Sequence, residues 1–219
     1  METDLLGGLS ETERRLVTAK MTRRSFHKGD TLFFEGDPGA SVHIILKGRV
    51  AVRTSTPQGD VVTLTVLGPG DCFGEQALLS ETSQRTASVV ALEAVETRAL
   101  HRDDFEDLRS KQPSIERFLV DLLAAQVRRL TGQVLEALYV PAEKRVIRRT
   151  ADLARLYDSA DVDGTTEIPM RQEDIASMAG TTRPTANRVL KQLEDDGVLL
   201  LSRGRTVILD RAELERRAR

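Results

Sequence analysis

The sequence predicts an α+β chain: an antiparallel β-rich domain, one long helix, and a small helical domain that ends in a β-hairpin. Three observations carry this expectation. Between Met21 and Leu100, short runs of Val, Ile, Thr and Leu alternate with glycine-bearing turns about every 8–12 residues. From residue 114 to 140 there is no proline and one glycine, Gly132, under an apolar 3-4-3-4 spacing. Beyond Arg171, two short helical segments meet at Gly180-Thr181-Thr182, and two apolar runs follow around Arg203-Gly204-Arg205.

A chain of 219 residues has room for one large domain or two small ones. Its 40% hydrophobic and 30% charged residues fit a soluble globular protein. Aromatics are 4% and tryptophan is absent, so core packing must rest on Leu, Val and Ala. The longest apolar runs, such as VLLL at 198–201, are far too short to span a bilayer. METDLLGGLSETERR lacks the basic-then-apolar order of a secretory signal. The one cysteine, Cys72, can supply neither an intrachain disulfide nor a four-cysteine cluster. The expectation is a cytoplasmic protein with no membrane partner. Of the net charge of −2, residues 142–219 carry +1 (15 Lys and Arg against 14 Asp and Glu) and the rest carries −3. Nucleic-acid binding would therefore need a local basic patch, not a basic domain.

Element by element, Ser10 with Glu13 three residues on reads as a capping box opening a short helix, SETERRLVTAK. The runs RRSF, TLFF, SVHIIL, RVAVRTS, VVTLTVL, ASVVAL and VETRAL read as strands of a sandwich or barrel. Val42, Ile44 and Leu46 set against His43 and Ile45 suggest partial two-residue alternation. Gly29, Gly36, Gly48, Gly59, Gly68 and Gly70 supply turn freedom. HRDDFEDLRSK reads as a helix stopped near Pro113. In the long helix, Val120, Leu123, Val127, Leu130, Val134 and Ala137 form a coiled-coil seam of about two and a half heptads. A second stripe, Ile115, Phe118, Leu119 and Leu122, can pack on the chain's own β domain. Two stripes imply two partners, and the seam points to a parallel homodimer; the alternative is one helix buried in a single core. Pro141 marks a break, 142–157 is helical, and DSADVDGTTE at 158–167 reads as a polar loop.

The segment RQEDIASMAGTTRPTANRVLKQLEDDGVL carries the clearest chemistry. Gly180 ends one helix, Thr182 can N-cap the next, and Pro184 sits in its first turn, where a missing N–H costs nothing. The second helix sets Arg183, Thr185, Asn187, Arg188 and Lys191 on one side and Ala186, Val189, Leu190 and Leu193 on the other. Two helices joined by a tight glycine turn form the helix-turn-helix pattern. An arginine near the start of the second helix can bond guanine O6 and N7 in the major groove. Thr182 and the free helix N–H groups suit phosphate. Arg203 and Arg205, at the hairpin tip, offer further phosphate contacts. Against this stands an ordinary solvated helical face.

A second motif lies at residues 73–89, FGEQALLSETSQRTASV, where the acid Glu75 and the base Arg85 sit beside small residues. With the helix-turn-helix segment, it gives the chain a clear resemblance to the bacterial cyclic-AMP receptor protein and fumarate-nitrate regulator (Crp/Fnr) family. The resemblance covers nearly the whole chain, in order. It implies a jelly-roll-like, cyclic-nucleotide-binding β-roll over 1–112, a dimerisation helix and hinge over 113–141, and a winged helix-turn-helix over 142–219. The 73–89 motif is similar to the phosphate-binding cassette of cyclic-nucleotide domains, with its F-G-E, A-L and R-T-A. It implies Phe73, Gly74, Glu75, Ala77, Arg85, Thr86 and Ala87 as ligand-binding residues, with Arg85 the phosphate anchor and Glu75 the ribose 2′-hydroxyl acceptor. An arginine fits this role through charge-assisted bonds to a buried phosphate, and small residues let backbone N–H groups approach. The alternative is a surface Glu75–Arg85 salt bridge with no ligand.

In relatives that respond to cyclic AMP, a polar pair on the long helix bonds adenine from both subunits. Counted back from Arg145 without gaps, that pair is Leu130 and Thr131; extra residues in VPAEKR would move it toward Arg128 and Arg129. Thr86, directly after the arginine, also suits cyclic GMP. Cyclic AMP is the expected effector and cyclic GMP the second choice, with no metal. Arg183 and Arg188 fall at positions where the family contacts DNA, while Pro184 stands where cyclic-AMP receptor proteins often carry a glutamate. Proline cannot accept from cytosine, so the operator should differ at that base pair.

The reading is a regulator, not an enzyme: a homodimer that binds a pseudo-palindromic double-stranded operator, meets RNA polymerase, and is gated by a cyclic nucleotide. A constitutive or differently gated member of the same family is the alternative. A cupin-type metalloenzyme is more distant, because His27, His43 and His101 are scattered. One cysteine excludes a four-cysteine iron–sulfur sensor.

Overall fold

The computed structural model describes residues 9–78, 84–112, 114–158 and 165–219, with only the backbone of Ala77, Phe118 and Leu122. The chain forms two compact units, Met1–Val61 with Thr65–Leu130 and Val62–Leu64 with Thr131–Arg219. The α+β class expected from the sequence is the one observed.

The first unit opens with α1 (Glu11–Lys20), and its capping box is present: Ser10 Oγ accepts from the Glu13 N–H, and the Glu13 carboxylate accepts from the Ser10 N–H at 2.7 Å. Eight strands follow: β1 (Thr22–Phe26), β2 (Thr31–Phe33), β3 (Ser41–Lys47), β4 (Val50–Ser55), β5 (Val61–Leu67), β6 (Cys72–Phe73), β7 (Ser88–Ala91) and β8 (Val95–His101). They make two four-stranded sheets, β1-β8-β3-β6 and β2-β7-β4-β5. Two helices close the unit, α2 (Arg102–Lys111) and the first turns of α3 (Ser114–Tyr139).

Strand β3 departs from the simple alternation that SVHIIL suggests. Val42, His43 and Ile45 are all buried, while Leu46 is exposed. The reason is that both faces of β3 are covered. Ile45 packs inside the roll with Val50, Leu67, Phe73, Val89, Ala91 and Val95. Val42 packs on the other face with Leu9, Val17, Leu100, Phe105, Leu108, Ile115 and Leu119. Strands covered on both faces lose the polar-out signal. Ile115 and Leu119 thus seat the second stripe of α3 on the β domain, as expected; the side chains of Phe118 and Leu122 lie outside the description. Val120, Val127, Leu130 and Val134 of the seam are exposed.

The second unit contains the end of α3, then α4 (Ala142–Leu156), β9 (Thr166–Ile168), α5 (Gln172–Met178), α6 (Arg183–Asp195), β10 (Leu199–Ser202), β11 (Arg205–Ile208) and α7 (Arg211–Ala218). The expected polar loop is corrected at its end: Thr166 and Glu167 belong to β9, which pairs with β11 in a three-stranded sheet ordered β10-β11-β9. Thr166 and Ile168 point inward and Glu167 outward, an alternation too short to stand out in the sequence. Residues 159–164 of that loop lie outside the description. Helix α7, capped by Asp210, was not expected either. Val146, Leu153, Ile168, Ile175, Ala186, Leu190, Leu193, Leu199, Ile208 and Leu214 fill the core. No described helix is long and apolar enough to cross a membrane.

Candidate ligand cassette and DNA-reading helix

The cassette is assembled by the ends of short elements. β6 delivers Phe73, buried opposite His43 of β3. Gly74 follows at φ +78°, and a 3-10 turn runs over Glu75–Leu78. The described chain resumes at Gln84, and the Arg85 backbone is pinned on both sides: its N–H donates to Asp37 O at 2.8 Å and its carbonyl accepts from the Gly36 N–H at 2.8 Å. Residues 79–83 of the 73–89 motif lie outside the description.

Arg85 folds inward and is buried, only 8% exposed. Nη1 donates to Ser41 O at 2.8 Å and Gly74 O at 3.2 Å, and Nη2 donates to Ser41 Oγ at 3.2 Å. The guanidinium carbon lies 4.0 Å from the centre of the Phe33 ring, a cation–π contact. Its buried Nε has no hydrogen-bond partner among the described residues. Burial pulls the guanidinium below the usual arginine range, opposed by the charges of Glu75 and Asp37. Yet among the described residues no ion pair joins Arg85 to a carboxylate, so the Glu75–Arg85 salt bridge is not what the fold builds. Glu75 is half-buried. A Cβ on Gly74 would collide with Arg85 Nη1 and come within 2.9 Å of Ser41 O, and its backbone is left-handed. Glycine is required there on both counts.

A buried polar chain continues behind the arginine. Ser41 Oγ lies 3.1 Å from His43 Nε2, and His43 Nδ1 lies 3.1 Å from Thr97 Oγ1. The imidazole stacks on Phe73, with ring centres 5.1 Å apart. Burial, with the positive charge of Arg85, lowers the His43 pKa to about 4, so the ring is neutral at physiological pH. Sequence reasoning reaches His43 only as one of three scattered histidines and does not reach Ser41 or Phe33. The available signal was two polar residues at i, i+2 inside the apolar run SVHIIL.

The remaining expected positions are placed as follows. Thr86 is exposed and Ala87 buried beside Arg85; Ala77 lies in the 3-10 turn. Leu130 ends the first unit and Thr131 begins the second, and both are exposed on α3. Cys72 is a free thiol pushed up to about 12, chiefly by burial and then by Glu75 and Asp71. Among the described residues no group of three or more His, Cys, Asp or Glu is arranged to hold a metal.

In the second unit, α5 ends at Gly180 (φ +57°), whose N–H donates to Ser177 O at 2.9 Å while Thr181 N–H donates to Ala176 O at 3.0 Å. This left-handed glycine closure turns the chain sharply. Thr182 then caps α6, with Oγ1 accepting from the Thr185 N–H, and Pro184 sits in the first turn. Ala186, Val189, Leu190 and Leu193 are buried. Arg183, Arg188 and Lys191 are exposed, whereas Thr185 and Asn187 are half-buried, so the polar face is narrower than the sequence suggested.

Each exposed cation of α6 has an acidic neighbour. Arg188 Nη2 donates to Glu143 at 2.7 Å, Lys191 Nζ to Glu194 at 2.8 Å, and Arg183 lies 3.9 Å from Glu173. At the hairpin tip Arg205 lies 3.2 Å from Glu167, and Arg203 is exposed with no ion pair among the described residues. Exposed pairs of this kind contribute little and exchange readily. These cations can therefore exchange their carboxylates for phosphates or base edges at small cost.

Comparison with known proteins covers both units. The family model of the cyclic nucleotide-binding domain matches residues 23–112, and that of the Crp-like helix-turn-helix domain matches 144–217. The chain is 33% identical over 212 residues to the cyclic AMP receptor protein of Thermus thermophilus, covering 96% of this chain and 94% of that one. It is 28% identical over 214 residues to a CRP-like cAMP-activated global transcriptional regulator of Mycobacterium tuberculosis, covering 97% and 95%. Among solved structures, the Thermus thermophilus catabolite activator protein aligns over 99% of this chain and 98% of its own, at 32% identity and a TM-score of 0.56. A CRP/FNR-family regulator from the same organism aligns over 90% and 98% with a TM-score of 0.75, at 21% identity, a likeness of fold alone. A cyclic nucleotide-binding β domain and a Crp-like helix-turn-helix thus follow one another as the resemblance implied, and the chain belongs to the Crp/Fnr family of transcription regulators.

Proposed function

We propose that this regulator is gated by a cyclic nucleotide, cyclic AMP first and cyclic GMP second, and reads a pseudo-palindromic operator as a cytoplasmic homodimer that contacts RNA polymerase. The observation that carries the ligand reading is Arg85. It is a buried cation held by a carbonyl pair, a hydroxyl and a ring; among the described residues no carboxylate stands at ion-pair distance and one N–H has no partner. A buried charge without a counter-charge is costly, and an anion with several oxygen acceptors relieves that cost through charge-assisted bonds. Gly74 and the 3-10 turn at Glu75–Leu78 bring a glycine and the Glu75 carboxylate, whose charge acts on Arg85, into the same stretch of chain, which suits a phosphate with a neighbouring ribose hydroxyl. Phe73, Gly74, Glu75, Ala77, Arg85, Thr86 and Ala87 form the proposed site in each subunit, with Leu130 and Thr131 toward the base. The names of the relatives, a cyclic AMP receptor protein and cAMP-activated regulators, favour cyclic AMP.

Gating is a population shift: the nucleotide must bind the DNA-competent arrangement more tightly than the other. The test is isothermal calorimetry of the full chain with cyclic AMP and with cyclic GMP, repeated on Arg85→Ala. Saturable micromolar or tighter binding of one nucleotide, lost in the variant, is the expected result. Absence of binding by either nucleotide would assign the chain to the constitutive or differently gated branch. Equal affinity in the variant would remove Arg85 from the site.

A further inference from the structure

Arg145, in the first turn of α4, has an environment that neither ligand binding nor base reading explains. Its guanidinium donates to four carbonyls on two separate stretches of chain. Nη1 reaches Val140 O at 2.7 Å and Ala137 O at 3.4 Å, at the end of α3. Nε reaches Ala179 O at 2.8 Å and Nη2 reaches Gly180 O at 3.0 Å, in the turn between α5 and α6. Both sets lie at helix C-termini, where unpaired carbonyls and the helix dipole favour a cation. A planar fork with five donors can serve both ends at once; an ammonium cannot span them in the same geometry. Two further arginines of α4, Arg148 and Arg149, bind Glu136 on the same last turns of α3.

We infer that Arg145 is a positioning residue for DNA reading: it joins the last turn of α3 to the helix-turn-helix turn, so that the end of α3, α4 and the start of α6 behave as one body. The last carbonyl it grips, that of Gly180, lies three residues before Arg183, so the grip sets where α6 begins. A corollary concerns flexibility. The break at Pro141 is stitched by Arg145, Arg148 and Arg149, whereas Gly132 lies on an exposed turn in the last third of α3, where glycine weakens a helix.

The inference rests on α6 as the base-reading helix, and the experiment separates the two. A duplex is first selected from a random library with the unaltered full chain, under the nucleotide that calorimetry identifies or none. If no duplex is enriched, the base-reading assignment itself fails. With a selected duplex in hand, affinities for it and for a random duplex are measured at low salt for the unaltered chain, Arg145→Lys, Arg145→Gln and Arg155→Gln. Arg155 lies on the same helix but, among the described residues, pairs with Asp152 and Glu215 alone. The expected result is at least a tenfold loss on the selected duplex for both Arg145 variants, with under twofold change on the random duplex and no loss in Arg155→Gln. Full retention of the selected-to-random ratio in Arg145→Lys and Arg145→Gln would overturn the assignment. Hydrogen exchange of the unaltered chain supplies a check that needs no variant. Amides of 137–140 and of 179–182 should open with protection within about threefold of each other, and a difference beyond tenfold would mean that the two segments are not one body.

Discussion

A neutral imidazole at position 43 is dictated by its neighbours. The ring is enclosed by β3, β8 and β6, bonded to Ser41 and Thr97, and stacked on Phe73. The charged or titratable groups acting on it are Arg85, His101 and Arg24, and all three oppose a second positive charge. The consequence is a pH dependence with a defined sign. Above the ordinary value of 6.5, both folded and unfolded states hold the ring neutral and the residue adds no slope. Between 6.5 and about 4 the unfolded chain takes a proton that the fold refuses, so stability falls as pH falls. The loss by pH 5 should be about 2 kcal/mol from this residue. Urea unfolding at pH 7 and pH 5, on the unaltered chain and on His43→Gln, measures it. Identical slopes in the two proteins would show that His43 is not the group responsible.

At the scale of elements, α6 is the piece whose sequence and structure agree most closely. Its cap, its first-turn proline and its buried stripe all lie where residue chemistry places them. What the packing adds is a restriction: Thr185 and Asn187 are half-buried, leaving Arg183, Arg188 and Lys191 as the exposed donors. Arg183→Ala should cost about 1–3 kcal/mol on a selected duplex and relax preference at one base pair. A gel-shift panel of single-base variants checks it, and unchanged preference would assign Arg183 to phosphate. At Pro184 no side-chain acceptor is available, so the panel should show no preference for cytosine there.

At the scale of the molecule, the feature that bears on assembly is the exposed apolar line on α3. Val120 (57% exposed), Val127 (61%), Leu130 (48%) and Val134 (57%) repeat at coiled-coil spacing. Such a seam is costly in water, and the proposed parallel homodimer would cover it with a second copy. Leu130→Glu should convert the dimer to monomer in sedimentation at micromolar protein, while far-ultraviolet circular dichroism stays unchanged because the residue is not in the core. Persistence of a dimer would mean that the seam is covered by something other than itself.

Much was legible in the sequence because the responsible chemistry is local. The capping box of α1, the turn at Gly180, the cap at Thr182 and the long apolar repeat each depend on residues within a few positions of one another, and each was found where its residues stand. The strand β9, the helix α7 and the double burial of β3 were not legible, because a three-residue alternation or a two-faced strand carries no period of its own. The cassette divides in the same way. Gly74, Glu75 and Arg85 stand out as a spaced motif with a recognisable chemistry. The placement of Arg85 against Ser41 and Phe33, the polar chain to His43, and the grip of Arg145 on two helix ends join residues from 5 to 54 positions apart in sequence. Sequence alone determined the elements whose signals are local and which residues carry charge; only tertiary packing decided the short elements and which of those charges lost their water, because burial is a property of the whole fold and not of any segment.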